Sequence, residues 1–193
     1  MAMAQSDLKK LVAYSSVAHL GFCVLGLSSG TREGVLGASF QLLSHAVTTG
    51  ALFFLVGMLY ERGHSREIGD YGGLARKAPR FAVAFGVIAM ASIGVPGLAG
   101  FAGEFPILAG AFLARPLWAV GAAGGVILGA VYLLGAYQRI AFGAVKAPHG
   151  HFPDLTAREI LVLLPLLALA VAMGAMPGAV FERLAPVVAG VAP

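Results

Sequence analysis

The sequence predicts an all-α, polytopic transmembrane helix bundle, and its composition is the first observation that indicates this. Of the 193 residues, 59% are hydrophobic and 11% are charged, whereas an ordinary globular domain is about 45–50% apolar and about 25% charged. The 27 glycines favour the close helix contacts by which membrane helices associate in lipid. We therefore expect residues 1–193 to form a single transmembrane domain in contact with the lipid bilayer.

The same composition excludes several classes of protein. Cys23 is the only cysteine, so the chain cannot be a scaffold held together by internal disulfides. The net charge of +4 is spread over short polar segments and provides no basic face for a nucleic acid. The sequence contains neither a phosphate-binding glycine motif nor a pair of cysteines, so it carries no recognisable cofactor motif.

Charged residues, glycine and proline divide the chain into six apolar segments, and we expect about six spans. These segments are residues 11–28, 35–60, 81–96, 98–113, 117–142 and 160–176. A continuous helix over 81–113 would be about 50 Å long, too long for one crossing. We therefore expect a broken helix near residues 96–104, because Pro96 and Gly97 interrupt regular helix there. Whether residues 81–113 cross twice or once, and which side faces the cytoplasm, stays open.

The clearest extramembrane segment is the polar stretch 61–80, with five basic and three acidic residues. Its centre, residues 71–74, favours a short surface helix or turn. His149 and His151 are interpreted as solvated residues of a second loop, and the last residues are expected near the membrane surface. The first four residues look like the end of an earlier helix, which predicts that the chain begins inside a larger protein.

Glu104 is the clearest candidate for a functional group inside the membrane. It follows the expected break by one to two turns, and Pro106 leaves the carbonyl of Ala102 without its helical donor. Free backbone groups at this depth are tolerated where protein or water surrounds them, and interrupted helices are typical of transport sites. We interpret Glu104 as a proton carrier. The alternative is a glutamate near the surface that caps a helix or pairs with an arginine.

His45 lies near the middle of the second apolar segment, on a polar stripe. Gln41, Thr48 and Thr49 share its helix face at spacings of three and four residues. Such a stripe can line a hydrated path, in which an imidazole both takes and gives a proton near neutral pH. The alternative is a structural histidine that hydrogen-bonds to another helix, and the sequence does not decide between the two.

Four further residues have simpler interpretations. His19 and Cys23 share a helix face, but two soft ligands are too few for a closed zinc site. We interpret His19 as a hydrogen-bonded packing residue. Lys9 and Lys10, taken alone, are anchors that extend to the lipid headgroups.

These segments resemble the antiporter-like membrane subunits of respiratory complex I, the proton-translocating NADH:quinone oxidoreductase. The matching motifs are AQSDLKKLVAYSSVAHLGF at 4–22, LSHA at 43–46, GALF at 50–53, LYER at 59–62, YGGL at 71–74 and GVPGLAGFAGEF at 94–105. With glutamate in the last motif, the chain resembles the branch of the family called subunit M or chain 4. The L and N branches and the Mrp-type antiporters usually have lysine there.

The resemblance implies a fold and roles for individual residues. The family fold has fourteen transmembrane helices in two inverted repeats, each with a broken helix, and this chain resembles its C-terminal part. Lys9 then matches a buried lysine, His45 a connecting histidine and Glu104 the terminal protonatable group. The remaining supporting residues are Lys10, Gln41, Thr48 and Pro106. The glutamate–lysine pair of the first repeat has no counterpart in this chain.

The resemblance also implies a function and partners. The chain would be a proton-translocating membrane-arm subunit that moves protons along a Lys-His-Glu axis, coupled to quinone reduction elsewhere in the enzyme. Its partners would be the other membrane-arm subunits. No cofactor is expected on this chain, since NADH, FMN, Fe–S clusters and quinone would bind other subunits. We expect a multi-pass protein of a bacterial plasma (inner) membrane.

Two alternatives to this function remain open. A subunit of a membrane-bound hydrogenase or of a Mrp-type cation/proton antiporter would share the fold and most of the motifs. A membrane scaffold without a transport role would use the same polar groups only to join helices.

Overall fold

A computed structural model gives the fold and describes residues 1–146 and 152–190. His149 and His151 lie outside the described residues. The α-helices are α1 (Leu8–Ser28), α2 (Arg32–Gly63), α3 (Leu74–Lys77), α4 (Pro79–Ser92), α5 (Ala99–Ala114), α6 (Pro116–Ala141), α7 (Ala157–Ala175) and α8 (Gly178–Val188). Short 3-10 helices cover Ala2–Ala4 and Ile68–Asp70.

Six of these helices correspond to the six predicted apolar segments, which confirms the helical membrane bundle. Four of them, α1, α2, α6 and α7, are long and apolar enough to cross a membrane. The other two are apolar but shorter, with 14 residues in α4 and 16 in α5. The turn between α4 and α5 contains Pro96 and Gly97, as the broken-helix prediction requires.

Helices α1 and α2 form a hairpin whose two starts are fixed by capping side chains. Asp7 precedes α1 and accepts a hydrogen bond from the backbone N–H of Lys10 at 3.0 Å. Thr31 precedes α2 and accepts one from the backbone N–H of Gly34 at 3.1 Å. Each cap satisfies a backbone donor that the first helical turn leaves free. The short turn between the helices returns the chain along α1.

The start of α4 lies beside the end of α2, and a polar cluster holds them together. The carboxylate of Asp154 accepts hydrogen bonds from the backbone N–H groups of Arg80 and Phe81, both at 3.0 Å. Arg62, near the end of α2, donates to the carbonyl of Asp154 and to both carboxylate oxygens of Glu159. The ends of α2, α4 and α7 therefore meet at one side of the bundle.

Helices α4 and α5 together form one interrupted crossing, antiparallel to α2. The contacts between α5 and α2 pair Gly103 with Gln41, Ile107 with Gly37 and Gly110 with Gly34. Residue numbers rise along α5 as they fall along α2, so α5 continues in the direction in which α4 began. The sequence left open whether residues 81–113 cross once or twice, and this packing is that of one crossing. Within the described residues, the six predicted apolar segments therefore make five crossings and not about six spans, because α4 and α5 share one.

Glycine allows α2 and α5 to approach closely. A Cβ at Gly37 would lie 2.7 Å from the backbone nitrogen of Ile107 and 2.9 Å from the Cβ of Pro106. These distances are shorter than van der Waals contact, so a larger residue would push the two helices apart. This close packing brings the polar side chains of α2 and α5 within hydrogen-bond distance.

The predicted extramembrane segment is docked onto the bundle. It contains the expected surface elements, the 3-10 helix Ile68–Asp70 and α3, but Ile68, Tyr71 and Leu74 are buried in the main apolar core. The hydroxyl of Tyr71 donates to the carbonyl of Ser65 at 2.7 Å. Burial raises the pKa of this hydroxyl, so it stays a neutral hydrogen-bond donor.

Helices α6, α7 and α8 lie at the periphery of the described bundle. Few side chains of α6 and α7 are buried within this chain. The residues expected near the membrane surface after α7 form α8, in which Phe181 packs on Phe40 of α2 with ring centroids 4.8 Å apart.

Candidate proton-transfer site

The carboxyl group of Glu104 lies in the interior of the bundle, where α1, α2 and α5 meet. The residue is 5% exposed and belongs to the second turn of α5. Its Oε1 accepts a hydrogen bond from Nε2 of Gln41 at 3.3 Å and lies 3.2 Å from Nδ1 of His19. An ionisable group at this depth requires such partners. The alternative of a surface glutamate that caps a helix does not describe this position.

The second carboxylate oxygen of Glu104 faces the turn between α4 and α5. Gly94 in this turn has a φ of +76°, a conformation that favours glycine. A Cβ at Gly94 would lie 2.5 Å from Oε2 of Glu104. The broken helix therefore brings backbone against the carboxyl group, and the break and Glu104 belong to one site.

His19 is the site residue that the sequence analysis missed. It is buried, with Nδ1 on Glu104 and Nε2 lying 3.4 Å from the Oγ of Ser92 in α4. The description of His19 as a hydrogen-bonded packing residue left out its ionisable partner. Sequence spacing gives no signal for this contact, because the two residues are 85 positions apart. Cys23 does not join the site and packs in a separate apolar cluster.

His45 contacts the ring of His19. Among the described residues, no hydrogen bond or ring contact joins His45 to Glu104. The two imidazole rings have centroids 5.4 Å apart and planes tilted by 39°. Nδ1 of His45 lies 3.0 Å from Oγ1 of Thr49, and the residue is half-buried. His19 thus stands between His45 and Glu104, the two residues that the sequence analysis proposed.

The predicted supporting residues differ in how they relate to this site. Gln41 contacts Glu104 directly. The hydroxyl of Thr48 donates to the carbonyl of Ser44 within α2 at 2.9 Å, so the polar stripe contributes Thr49 and Gln41 but not Thr48. Pro106 lies inside α5 and packs against Gly37, where it contributes to the helix contact.

Two buried polar atoms on α2 are open to a further ligand. Oε1 of Gln41 and Oγ of Ser44 have no hydrogen-bond partner among the described residues, although both residues are fully buried. Buried polar atoms in proteins are normally hydrogen-bonded to protein or to ordered water. Both atoms therefore provide places for water on α2, and the one on Gln41 belongs to a side chain that contacts the Glu104 carboxyl.

Lys9 and Lys10 lie outside this cluster. Both are exposed in the first turn of α1, whereas the family resemblance implies a buried Lys9. The backbone of Leu8 hydrogen-bonds to Arg66 in the docked polar segment, so this end of α1 lies at the side of the bundle that holds residues 64–78. Ten residues of helix separate Lys9 from His19, about 15 Å along the axis. Geometry within this chain gives Lys9 the position of a surface anchor, and its relay role stays a prediction.

Comparison with known proteins gives a consistent assignment. The model of the NADH:quinone oxidoreductase/Mrp antiporter transmembrane family matches residues 1–131. NADH-quinone oxidoreductase subunit M of Rhodobacter capsulatus is 45% identical over 190 residues, which cover 98% of this chain and 37% of that protein. The chain thus spans less than half the length of this relative.

Solved structures agree in fold. A chain of respiratory complex I from Thermus thermophilus with bound NADH superposes with a TM-score of 0.89 at 39% identity, covering 98% of this chain and 41% of that one. A chain of the Mrp complex from Dietzia sp. DQ12-45-1b has a TM-score of 0.85 at 21% identity, covering 98% and 44%, and shows a shared fold only. This chain therefore belongs to the family of NADH:quinone oxidoreductase and Mrp antiporter transmembrane subunits.

Proposed function

We propose that this chain translocates protons as a membrane-arm component of an NADH:quinone oxidoreductase. The observation that carries the proposal is the buried contact between His19 and Glu104, two groups able to exchange a proton inside a membrane helix bundle. The 45% identity to a subunit M supports this enzyme over the Mrp-type alternative, whose solved relative is 21% identical. Bacterial relatives support a place in the bacterial plasma membrane.

The proposed transfer begins at the Glu104 carboxyl. When Glu104 is protonated, its O–H donates to Nδ1 of neutral His19, and the proton moves to the imidazole as the carboxylate forms. The imidazolium then releases a proton from Nε2, on the side that faces Ser92. An imidazole that takes a proton on one nitrogen and releases one from the other acts as a relay.

The path then continues from His19 to His45. The rings are neighbours, but no direct hydrogen bond joins them among the described contacts. A water molecule or a hydroxyl group must bridge them, as is common where polar groups stand farther apart than a direct hydrogen bond. Thr49, which contacts His45, continues the polar stripe along α2.

Gln41 has a supporting role in this scheme. Its amide N–H stabilises the carboxylate form of Glu104. Its Oε1, which has no partner among the described residues, is an acceptor that the neutral carboxyl can use after the amide rotates. The side chain can therefore serve both protonation states of Glu104.

Lys9 would extend the axis toward the start of α1. Because it is exposed in this chain and about 15 Å from His19, another protein segment or a chain of waters has to connect them. Electron transfer would take place elsewhere, with NADH, FMN, Fe–S clusters and quinone on other subunits. This chain would move protons only.

The test is a substitution of Glu104 in the assembled oxidoreductase. Glu104→Gln keeps the size and polarity of the side chain but removes the titrating proton, so NADH-driven proton uptake by inverted membrane vesicles should be largely lost. Glu104→Asp should retain part of it. Glu33→Gln is a matched control, because Glu33 is exposed in the first turn of α2. Normal pumping by an assembled Glu104→Gln enzyme would contradict the proposal and favour the alternative of a membrane scaffold without a transport role.

A further inference from the structure

An apolar groove runs along the outside of the bundle between α4 and α7. Its volume is about 880 Å³, within the range of about 300–1,000 Å³ that is usual for small-molecule sites. Val83 and Val87 of α4 form one wall, and Leu164, Leu167 and Val171 of α7 form the other. Among the described residues that line the groove, Arg80 is the one that is not apolar.

Arg80 lies at one end of the groove, where α4 and α7 begin. It is exposed, and within the described part of the chain its guanidinium makes no hydrogen bond or ion pair. Arg76 and Lys77 precede it in α3, within four residues of Arg80, but do not line the groove. Arg80 thus forms a cationic rim at this end of the groove.

The acidic residues at this rim are already engaged. Asp154 accepts hydrogen bonds from the backbone N–H groups of Arg80, Phe81 and Leu155. Glu159 is paired with Arg62 at 2.7 Å. The guanidinium of Arg80 therefore remains available to an anion from outside the chain.

The groove extends from this rim into the membrane. The residues that line it on α7 run from Ile160 to Ala175, a helix length of about 23 Å. Half of a hydrocarbon core of about 30 Å is about 15 Å. The groove is therefore long enough for an acyl chain that crosses one leaflet.

We propose that this groove binds a phospholipid with an anionic headgroup, with its phosphate on Arg80 and an acyl chain between α4 and α7. Arginine is well suited to phosphate because its planar guanidinium offers paired donors. A helix of another protein would leave the arginine unpaired unless it presented an acidic group at the same level. None of the proposed proton-transfer residues lines the groove, so this proposal is independent of the proposed function.

Tryptophan quenching by brominated lipids tests the proposal. The chain has a single tryptophan, Trp118 in α6, which a Trp118→Phe background removes. Val87→Trp then places a fluorophore in the groove, and Leu164→Trp does so from the opposite wall. Ile127→Trp on the exposed surface of α6 reports ordinary lipid contact. Each variant is reconstituted in bilayers that contain dibrominated phosphatidylglycerol or dibrominated phosphatidylcholine.

We expect phosphatidylglycerol to bind about fivefold more strongly than phosphatidylcholine at Val87→Trp and Leu164→Trp, the effect of one basic residue near an anionic lipid. At Ile127→Trp the two lipids should quench equally. Arg80→Gln should abolish the preference. Arg158→Gln should leave it unchanged, because Arg158 lies at the same side of the bundle but lines a different cavity, between α2 and α7.

Three results would overturn the proposal. The first is equal quenching by the two lipids at both groove positions. The second is an equal loss of preference in Arg80→Gln and Arg158→Gln, which would indicate only the surface potential of the membrane side. The third is the absence of quenching by either lipid at both groove positions, which would show that protein and not lipid fills the groove.

Discussion

His19 of α1 and Glu104 of α5 meet inside the bundle, with Nδ1 and Oε1 3.2 Å apart and side chains 9% and 7% exposed. A buried ionisable pair is stable only while each partner compensates the other. Removal of either residue leaves the other without its main partner. The two residues should therefore behave as one functional unit.

Substitution of His19 tests this coupling. His19→Gln keeps a polar side chain but cannot relay a proton, so we expect proton pumping by the assembled enzyme to fall at least about tenfold. The double variant His19→Gln/Glu104→Gln should be no worse than either single variant, because both interrupt the same step. Ser16→Ala is the control, since the hydroxyl of Ser16 bonds to the carbonyl of Val12 in its own helix and to no other group among the described residues. Additive losses would contradict the shared step.

His45 should respond to the size of its replacement. It contacts the His19 ring, and the proposed bridge between the rings is a water or a hydroxyl group. His45→Ala leaves space for water and should retain part of the pumping, whereas His45→Phe fills the space and should block the path. Leu43→Phe adds a ring at an exposed neighbouring position of α2 and should have little effect. Normal pumping by His45→Phe would assign His45 to packing.

The sequence was sufficient to predict the helices, because charge clusters, proline and glycine separate long apolar runs. It also located the break, since Pro96 and Gly97 act on their own segment. The number of crossings over residues 81–113 could not be predicted, because it depends on the antiparallel packing of α5 along α2. Local pattern contains no information about that pairing.

The candidate site could also be predicted only where it depends on local sequence features. Glu104 and Gln41 were identifiable, since an ionisable residue after a break and a polar stripe on an apolar helix are local features. The contact of His19 with Glu104 joins residues 85 positions apart, so it becomes visible only when α1, α2 and α5 pack together. Thr48 shows the opposite case, because a residue on the polar stripe bonds to its own helix backbone.

The relay role proposed for Lys9 can be tested with its neighbour Lys10 as the control. Lys9→Ala should lower proton pumping several-fold, whereas Lys10→Ala should have little effect, because only Lys9 matches the buried lysine that the family resemblance implies. Both variants remove the same charge from the same exposed turn of α1. Equal effects of the two substitutions would show that the match of Lys9 to the family motif is in the wrong register. If both effects are small, the two lysines are surface anchors, the role that their exposure in this chain supports.

Gly103 is expected to be required for the geometry around Glu104. A Cβ at this position would overlap Oε1 of Gln41 and lie 2.9 Å from its Cα. Gly103→Ala should therefore displace Gln41, break its hydrogen bond to Glu104 and reduce pumping. Gly50→Ala adds the same methyl group to α2 where the Cβ would meet open space, and it should change little. Unchanged pumping by Gly103→Ala would show that the Gln41 contact is dispensable.

The final prediction concerns the 193-residue chain by itself. Its proposed proton groups, His19, His45 and Glu104, lie in one cluster, and the chain spans 37% of the length of its subunit M relative. A hydrated path across about 30 Å of hydrocarbon needs polar groups at every depth, and within the described residues this cluster supplies them only in part. Insertion depends on the apolar helices and should not require the path.

We therefore expect the chain to insert into liposomes but to give a proton flux under an imposed potential that equals the flux of empty vesicles. Insertion is checked by flotation of the vesicles with the protein, and flux by a pH-sensitive dye inside them. The Glu104→Gln chain is the matched control, because it has the same helices and lacks the carboxyl group. A flux that appears with the unmodified chain and disappears with Glu104→Gln would contradict this prediction and would identify these 193 residues as a self-sufficient proton pathway.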